Sequence, residues 1–137
     1  MPTPITKAGK KQAYVLAGDI GGTKTRLGLF VAGRQRPVAG ATAQYSSRQY
    51  RSIEVIIDQM FARYPAKIKK ACFGIAGPVI NGVCRTTNLP WVVSEQKLQK
   101  RFGWQRVRLI NDLGSTAMAI PLLAHREVKA LNSAKVH

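Results

Sequence analysis

The sequence predicts an α/β domain of three layers, built on a mixed sheet with three antiparallel strands followed by helical crossovers. Two observations predict it. Apolar runs of strand length and segments of helical period follow one another in the order β-β-β-α-β-α-β-α. In addition, Asp19, Gly77-Pro78 and Asn111-Asp112 each stand at the end of a strand-like run, where ligands of α/β sheets gather.

The elements can be justified in order. Residues 1–13, with Lys7, Lys10 and Lys11, read as a flexible basic tail, and residues 14–137 as one domain. Tyr14–Ile20 and Arg26–Val31 form an antiparallel pair, and Pro37–Ala43 follows the turn Ala32-Gly33-Arg34 as a third strand. Ser52 can cap a helix in which Ile53, Ile56, Ile57, Met60, Phe61 and Tyr64 keep the helical period until Pro65 stops it. A buried strand, Ala71–Ala76, ends in Gly77-Pro78. Asn81-Gly82 then carries the strongest short hairpin signal. "RTTNLPWVV" reads as a loop, and Ser94 can cap a short helix with Leu98 and Phe102 one turn apart. Val107–Ile110 is the next strand, and a helix is expected just after Asn111-Asp112, running through Met118 and Ile120.

Composition narrows the class. A hydrophobic fraction of 45% is ample for a packed core. The apolar stretches are too short to span a bilayer, and none has the form of a signal peptide. Cys72 and Cys84 have no metal-ligand spacing and read as reduced thiols, so the expected location is cytoplasmic. A net charge of +16 favours polyanion partners. The basic groups are dispersed, however, and no zinc-finger or RRM-like pattern accompanies them, so nucleic acid is not the expected partner.

Three loops carry candidate chemistry. In "LAGDIGGTKTRLGLF", Gly21 and Gly22 lack a Cβ, so positive φ and close approach of N–H groups to a phosphate are open to them. Thr23 and Thr25 offer hydroxyls, Lys24 a charge, and Asp19 a carboxylate for Mg²⁺, held directly or through water. A plain Gly-Gly hairpin turn accounts for the same residues. In the second loop Thr86, Thr87 and Asn88 suit a polyhydroxylated ligand and Trp91 could wall a pocket; a polar loop pinned by a buried Trp is the alternative. In the third, Asp112 can act as a general base toward a substrate hydroxyl with Asn111 bonding its neighbours, or the pair can simply cap a helix.

Taken together, "LAGDIGGTKTRLGLF", "CFGIAGPV", "TNLPWVV" and "LINDLGSTAMAIPLL" resemble, in order and spacing, the N-terminal half of bacterial glucokinases. Those enzymes form part of the sugar-kinase branch of the actin-like, ribonuclease-H-like ATPase superfamily. The resemblance runs from about Tyr14 to Leu131. It implies a ribonuclease-H-like (actin-like ATPase) domain and ATP-dependent, Mg²⁺-assisted phosphorylation of glucose at its 6-hydroxyl. By motif match Gly18, Asp19, Ile20, Gly21, Gly22 and Thr23 form the first phosphate loop. Thr87 and Asn88 belong to the sugar loop, Asn111 is a sugar ligand, and Asp112 is the catalytic base.

The sequence departs from that pattern in three ways. Gly114-Ser115 stands where the family usually shows Glu-Ala, the charge is unusually basic, and the chain stops at His137 before the family's adenosine-binding half. The expectation is therefore a truncated form, inactive alone, whose partners are glucose, ATP and either a missing C-terminal half or further copies of itself. Three other readings compete. A non-catalytic remnant could bind a sugar or a partner weakly. A ribonuclease-H-like nuclease could use Asp19 and Asp112 as metal ligands, although Glu54, Asp58, Glu95 and Glu127 all fall in apparent surface helices. A kinase of an acylated amino sugar is the third.

Overall fold

The computed structural model describes residues 13–129. Of the tail expected over residues 1–13, only the exposed Ala13 is among them. The first three strands are β1 (Tyr14–Ile20), β2 (Lys24–Val31) and β3 (Val38–Ser46). A helix, α1 (Ile53–Arg63), leads to β4 (Ile68–Ile75). Three short strands follow, β5 (Val79–Ile80), β6 (Val83–Arg85) and β7 (Val92–Ser94). The helix α2 (Glu95–Phe102), the strand β8 (Arg106–Asn111) and the helix α3 (Asp112–Ala119) complete the order.

The main sheet has five strands in the order β3-β2-β1-β4-β8. β1–β2 and β2–β3 pair antiparallel, whereas β4 runs parallel to β1 and β8 parallel to β4. This is the mixed sheet the sequence predicts, with α1 forming the first crossover. The second crossover is richer than expected. Asn81 and Gly82 take φ of 51° and 72°, the left-handed pair of a two-residue hairpin that joins β5 to β6. β7, read from sequence as loop, pairs with β6 to make a second, three-stranded sheet.

Element ends differ where pairing outruns local propensity. β3 continues past Ala43 because Tyr45 and Ser46 lie opposite Thr25 and Lys24, and those pairings also bring β2 back to Lys24. α3 stops at Ala119, and Ile120–Leu122 tightens to a 3-10 turn around Pro121.

One face of the main sheet holds the core. Leu16, Ile20, Leu27, Leu29, Phe73 and Ile75, at alternate positions of their strands, are at most 2% accessible. They share a single cluster with Ile53, Ile56, Ile57 and Met60 of α1, Val93 of β7 and Leu98 of α2. The edge strand β8 is tied down by Glu95, whose carboxylate accepts the Leu109 N–H at 2.9 Å. The opposite face is sparsely covered. α3 begins a layer there, where a Cβ on Gly74 would meet Ser115 Oγ at 2.6 Å, and no residue of α3 is buried; Leu122 and Leu123 beyond it line a cavity with Val15, Ala17 and Phe30 of the sheet. Of the three layers expected, the sheet and one covering layer are fully formed among the described residues.

Candidate active site

The parallel register brings the strand ends together. Asp19 and Ile20 lie beside Gly74 and Ile75, and Ile75 lies beside Asn111. The loops that leave β1, β4 and β8 therefore emerge side by side along one edge of the sheet. Two contacts bind them. The Ala76 N–H donates to Ile20 O at 3.1 Å, and the Asn111 carboxamide donates to Gly77 O at 3.0 Å.

The glycine loop differs from expectation in its reason for glycine. Neither Gly21 nor Gly22 has a positive φ, in contrast to Gly77, Gly82 and Gly103. Close packing excludes a side chain instead. A Cβ on Gly22 would stand 2.8 Å from Asn88 Cβ, and one on Gly21 would stand 2.9 Å from Lys24 O. The loop still closes a hairpin, since Gly21 N–H donates to Lys24 O at 3.0 Å. Thr23 and Lys24 are exposed at its tip, but Thr25, expected to offer a hydroxyl to phosphate, is fully buried and bonded to Ser47. Asp19 is exposed at the end of β1 and makes no ion pair among the described residues.

The second loop is divided in its roles. Thr86 Oγ1 is spent on Leu89 O and Trp91 O, at 2.8 and 3.1 Å, and so builds the loop. Trp91, expected to wall a pocket, packs into the core. It is 3% exposed, and its indole N–H donates to Tyr50 O at 3.2 Å. Thr87 and Asn88 remain exposed against the glycine loop. The crevice between Gly21-Gly22, Ala76 and Thr86–Asn88 has a volume of about 10 Å³, room for one water at most. Anything larger than a water therefore has to sit over these loops rather than between them.

In the third loop the helix cap is plainly made. Leu113 N–H is shared between Asn111 Oδ1 and Asp112 Oδ1, at 3.1 and 2.9 Å. This leaves Asp112 Oδ2 without a hydrogen bond among the described residues, and Asp112 has no ion pair there. The remaining acids lie elsewhere. Glu54 lies in the first turn of α1, Asp58 pairs with Arg101, Glu127 with Arg36, and Glu95 holds the edge of β8. No group of three or more His, Cys, Asp or Glu gathers among the described residues. The two-metal nuclease reading thus finds no third acid there to join Asp19 and Asp112.

Sequence reasoning missed two residues of this region. Ser47 sits in a 3-10 turn after β3 and reaches back to Gly21, 26 positions earlier. Cys84 packs so closely against Gly77 that a Cβ there would lie 2.9 Å from its sulfur. No local pattern announces either contact.

The fold is similar to that of solved glucokinase structures. A glucokinase from an Antarctic psychrotroph superposes with a TM-score of 0.79 at 26% identity, covering 90% of this chain and 40% of that one. A ROK family glucokinase from Streptomyces griseus, in complex with glucose and AMPPNP, shares the fold with a TM-score of 0.56 at 23% identity, over 77% of this chain and 35% of its own. Sequence narrows the class further. Glucokinase of Yersinia pestis (strain Pestoides F) is 35% identical over 115 residues, which is 84% of this chain. The glucokinase family profile matches residues 16–137, and the chain belongs to that family. It spans 35% of the length of the curated relatives it matches.

Proposed function

We propose that this chain is the phosphate- and sugar-binding half of an ATP-dependent glucose kinase acting on the 6-hydroxyl. The observation that carries the reading is the junction of three strand ends, with Gly22 packed on Asn88 and Asn111 bonded to Gly77. Phosphoryl transfer is mostly positioning and charge stabilisation, and these contacts fix a phosphate loop, a sugar loop and a carboxylate relative to one another.

In this reading Gly18–Thr23 receives the phosphates and Thr87, Asn88 and Asn111 hold sugar hydroxyls. Asn111 has one N–H and one oxygen lone pair still free for that purpose. Asp112 takes the proton of the attacking hydroxyl with Oδ2, while its other oxygen stays on Leu113 N–H. Asp19, a lone exposed carboxylate, suits Mg²⁺ held through water, because that ion keeps much of its hydration shell. When bound, Mg²⁺ neutralises phosphate charge. A cytoplasmic location would suit a kinase of glucose that draws on ATP.

Catalysis in this scheme needs a second wall that grips adenosine and closes over the sugar. The test is to assay residues 1–137 with ATP, Mg²⁺ and glucose, alone and mixed with the C-terminal half of a related glucokinase. Glucose 6-phosphate should form only in the mixture. Robust turnover by the isolated chain would show that the second wall is not needed. Failure of the mixture despite physical association would favour a non-catalytic remnant.

A further inference from the structure

We propose that Thr25 and Ser47 are positioning residues of the glycine loop, acting as a two-hydroxyl relay beneath it. Both side chains are fully buried; among the described residues the other buried polar residue, Ser94, keeps 8% of its surface exposed. Ser47 Oγ donates to Gly21 O at 2.7 Å and lies 2.9 Å from Thr25 Oγ1. A serine hydroxyl has a single hydrogen, and Gly21 O takes it. The shared bond must therefore be donated by Thr25, giving the chain Thr25 O–H to Ser47 O–H to Gly21 O. The Ser47 N–H adds a hold on Thr23 O at 2.9 Å. Two carbonyls of one tight loop are thus drawn inward from the end of β3.

The consequence follows from the planar trans peptide. The N–H of a residue points opposite to the preceding C=O, so drawing Gly21 O inward turns Gly22 N–H outward. Among the described residues neither Gly22 nor Thr23 N–H finds a protein acceptor. An outward, unpartnered N–H is what a phosphate oxygen needs. Packing alone gives no reason for the hydroxyls. Position 25 continues the inward column of Leu27 and Leu29, where valine has the shape of threonine and spares a buried polar group. The hydroxyls instead fix the direction of the loop, and chained hydrogen bonds polarise one another in the same sense.

This inference rests on the phosphate reading of the loop, and the experiment separates the two. The intact 137-residue chain, labelled with ¹⁵N, would be titrated with inorganic pyrophosphate at physiological salt while the Gly22 and Thr23 amide signals are followed. Their ¹H–¹⁵N heteronuclear NOEs would be measured without ligand. The variants are Thr25→Val, Thr25→Ser and Ser47→Ala, each also unfolded in urea. Wild type should show rigid loop amides that move saturably with pyrophosphate. Thr25→Val should stay folded with mobile loop amides and bind about three- to tenfold more weakly, the worth of one hydrogen bond. Thr25→Ser should restore both properties, and Ser47→Ala should resemble Thr25→Val. Loop order and affinity unchanged in folded Thr25→Val and Ser47→Ala would overturn the proposal. Wild type that ignores pyrophosphate, while loop order still falls in the two variants, would sink the phosphate reading and leave the relay standing as the device that orients the loop.

Discussion

The Asn111 carboxamide donates to the Gly77 carbonyl at 3.0 Å, joining the end of β8 to the turn that follows β4. The same side chain accepts Leu113 N–H at 3.1 Å and so starts α3. One residue therefore fixes the distance between two of the three loops and the direction in which Asp112 leaves the sheet.

Asn111→Asp keeps the capping oxygen but loses the donor to Gly77. It should cost about 1–3 kcal/mol, because a part-buried carbonyl is left unpaired. Asn111→Ala removes the cap as well and should cost more. Urea unfolding of the isolated chain measures both. An Asn111→Asp midpoint equal to that of wild type would mean that the Gly77 tie contributes nothing.

Asp112→Asn retains size and an oxygen for Leu113 N–H but removes the base. The change belongs in a chimera in which this chain replaces the matching segment of a full-length relative. There kcat should fall by about 10²–10⁴ with little change in sugar affinity. Steady-state kinetics decide the matter, and an unaltered kcat would remove Asp112 from the chemistry.

Gly22→Val places a branched side chain where even a Cβ would be 2.8 Å from Asn88 Cβ. The two loops should be pushed apart at a cost of about 1–3 kcal/mol, with pyrophosphate binding weakened beyond the loss of stability. Gly103→Ala supplies the contrast. Its φ of +68° makes a side chain strained although nothing lies within 4 Å, so it should cost about 1–2 kcal/mol and leave binding intact. Equal binding by both folded variants would deny the glycine loop a role in holding phosphate.

Burial pushes the Cys84 thiol above its ordinary value of 9.0. Burial also raises Cys72, where Arg108 pulls the value back and Glu95 raises it further. A folded-state value above the unfolded one stabilises the protein at pH below about 9 and is lost as pH rises through the folded value. Stability should therefore decline on the alkaline side, less steeply in Cys84→Ala than in wild type. At pH near 8 a thiol reagent should label Cys84 only as the chain unfolds. Rapid labelling of Cys84 in the native chain would contradict its burial against Gly77.

The sequence by itself determined the elements whose signals are local. Helical spacing of Ile53, Ile56, Ile57 and Met60 predicted α1, and those side chains are fully buried against the sheet. Asn81-Gly82 predicted a hairpin because few other pairs accept two left-handed residues in succession. Ser94 was legible as a helix cap, and its hydroxyl accepts Lys97 N–H at 3.3 Å. Asp19, Asn111 and Asp112 stand out as candidates because each is a polar residue at the end of an apolar run, and Asn88 because it brings an amide to a polar loop. Tertiary structure decided what depends on partners distant in the chain. Gly22 is a glycine because Asn88 crosses it, not because of its own φ. Thr25 turns inward to Ser47 although a threonine beside a glycine loop reads as a phosphate donor. Trp91 went to the core, and β7 became a strand only because β6 lies beside it. Backbone propensity and period act within a few residues and leave their mark in order along the chain. The bond of Ser47 to Gly21, 26 positions apart, exists only once β1, β2 and β3 have paired antiparallel, and that of Asn111 to Gly77, 34 positions apart, only once β4 and β8 have paired in parallel.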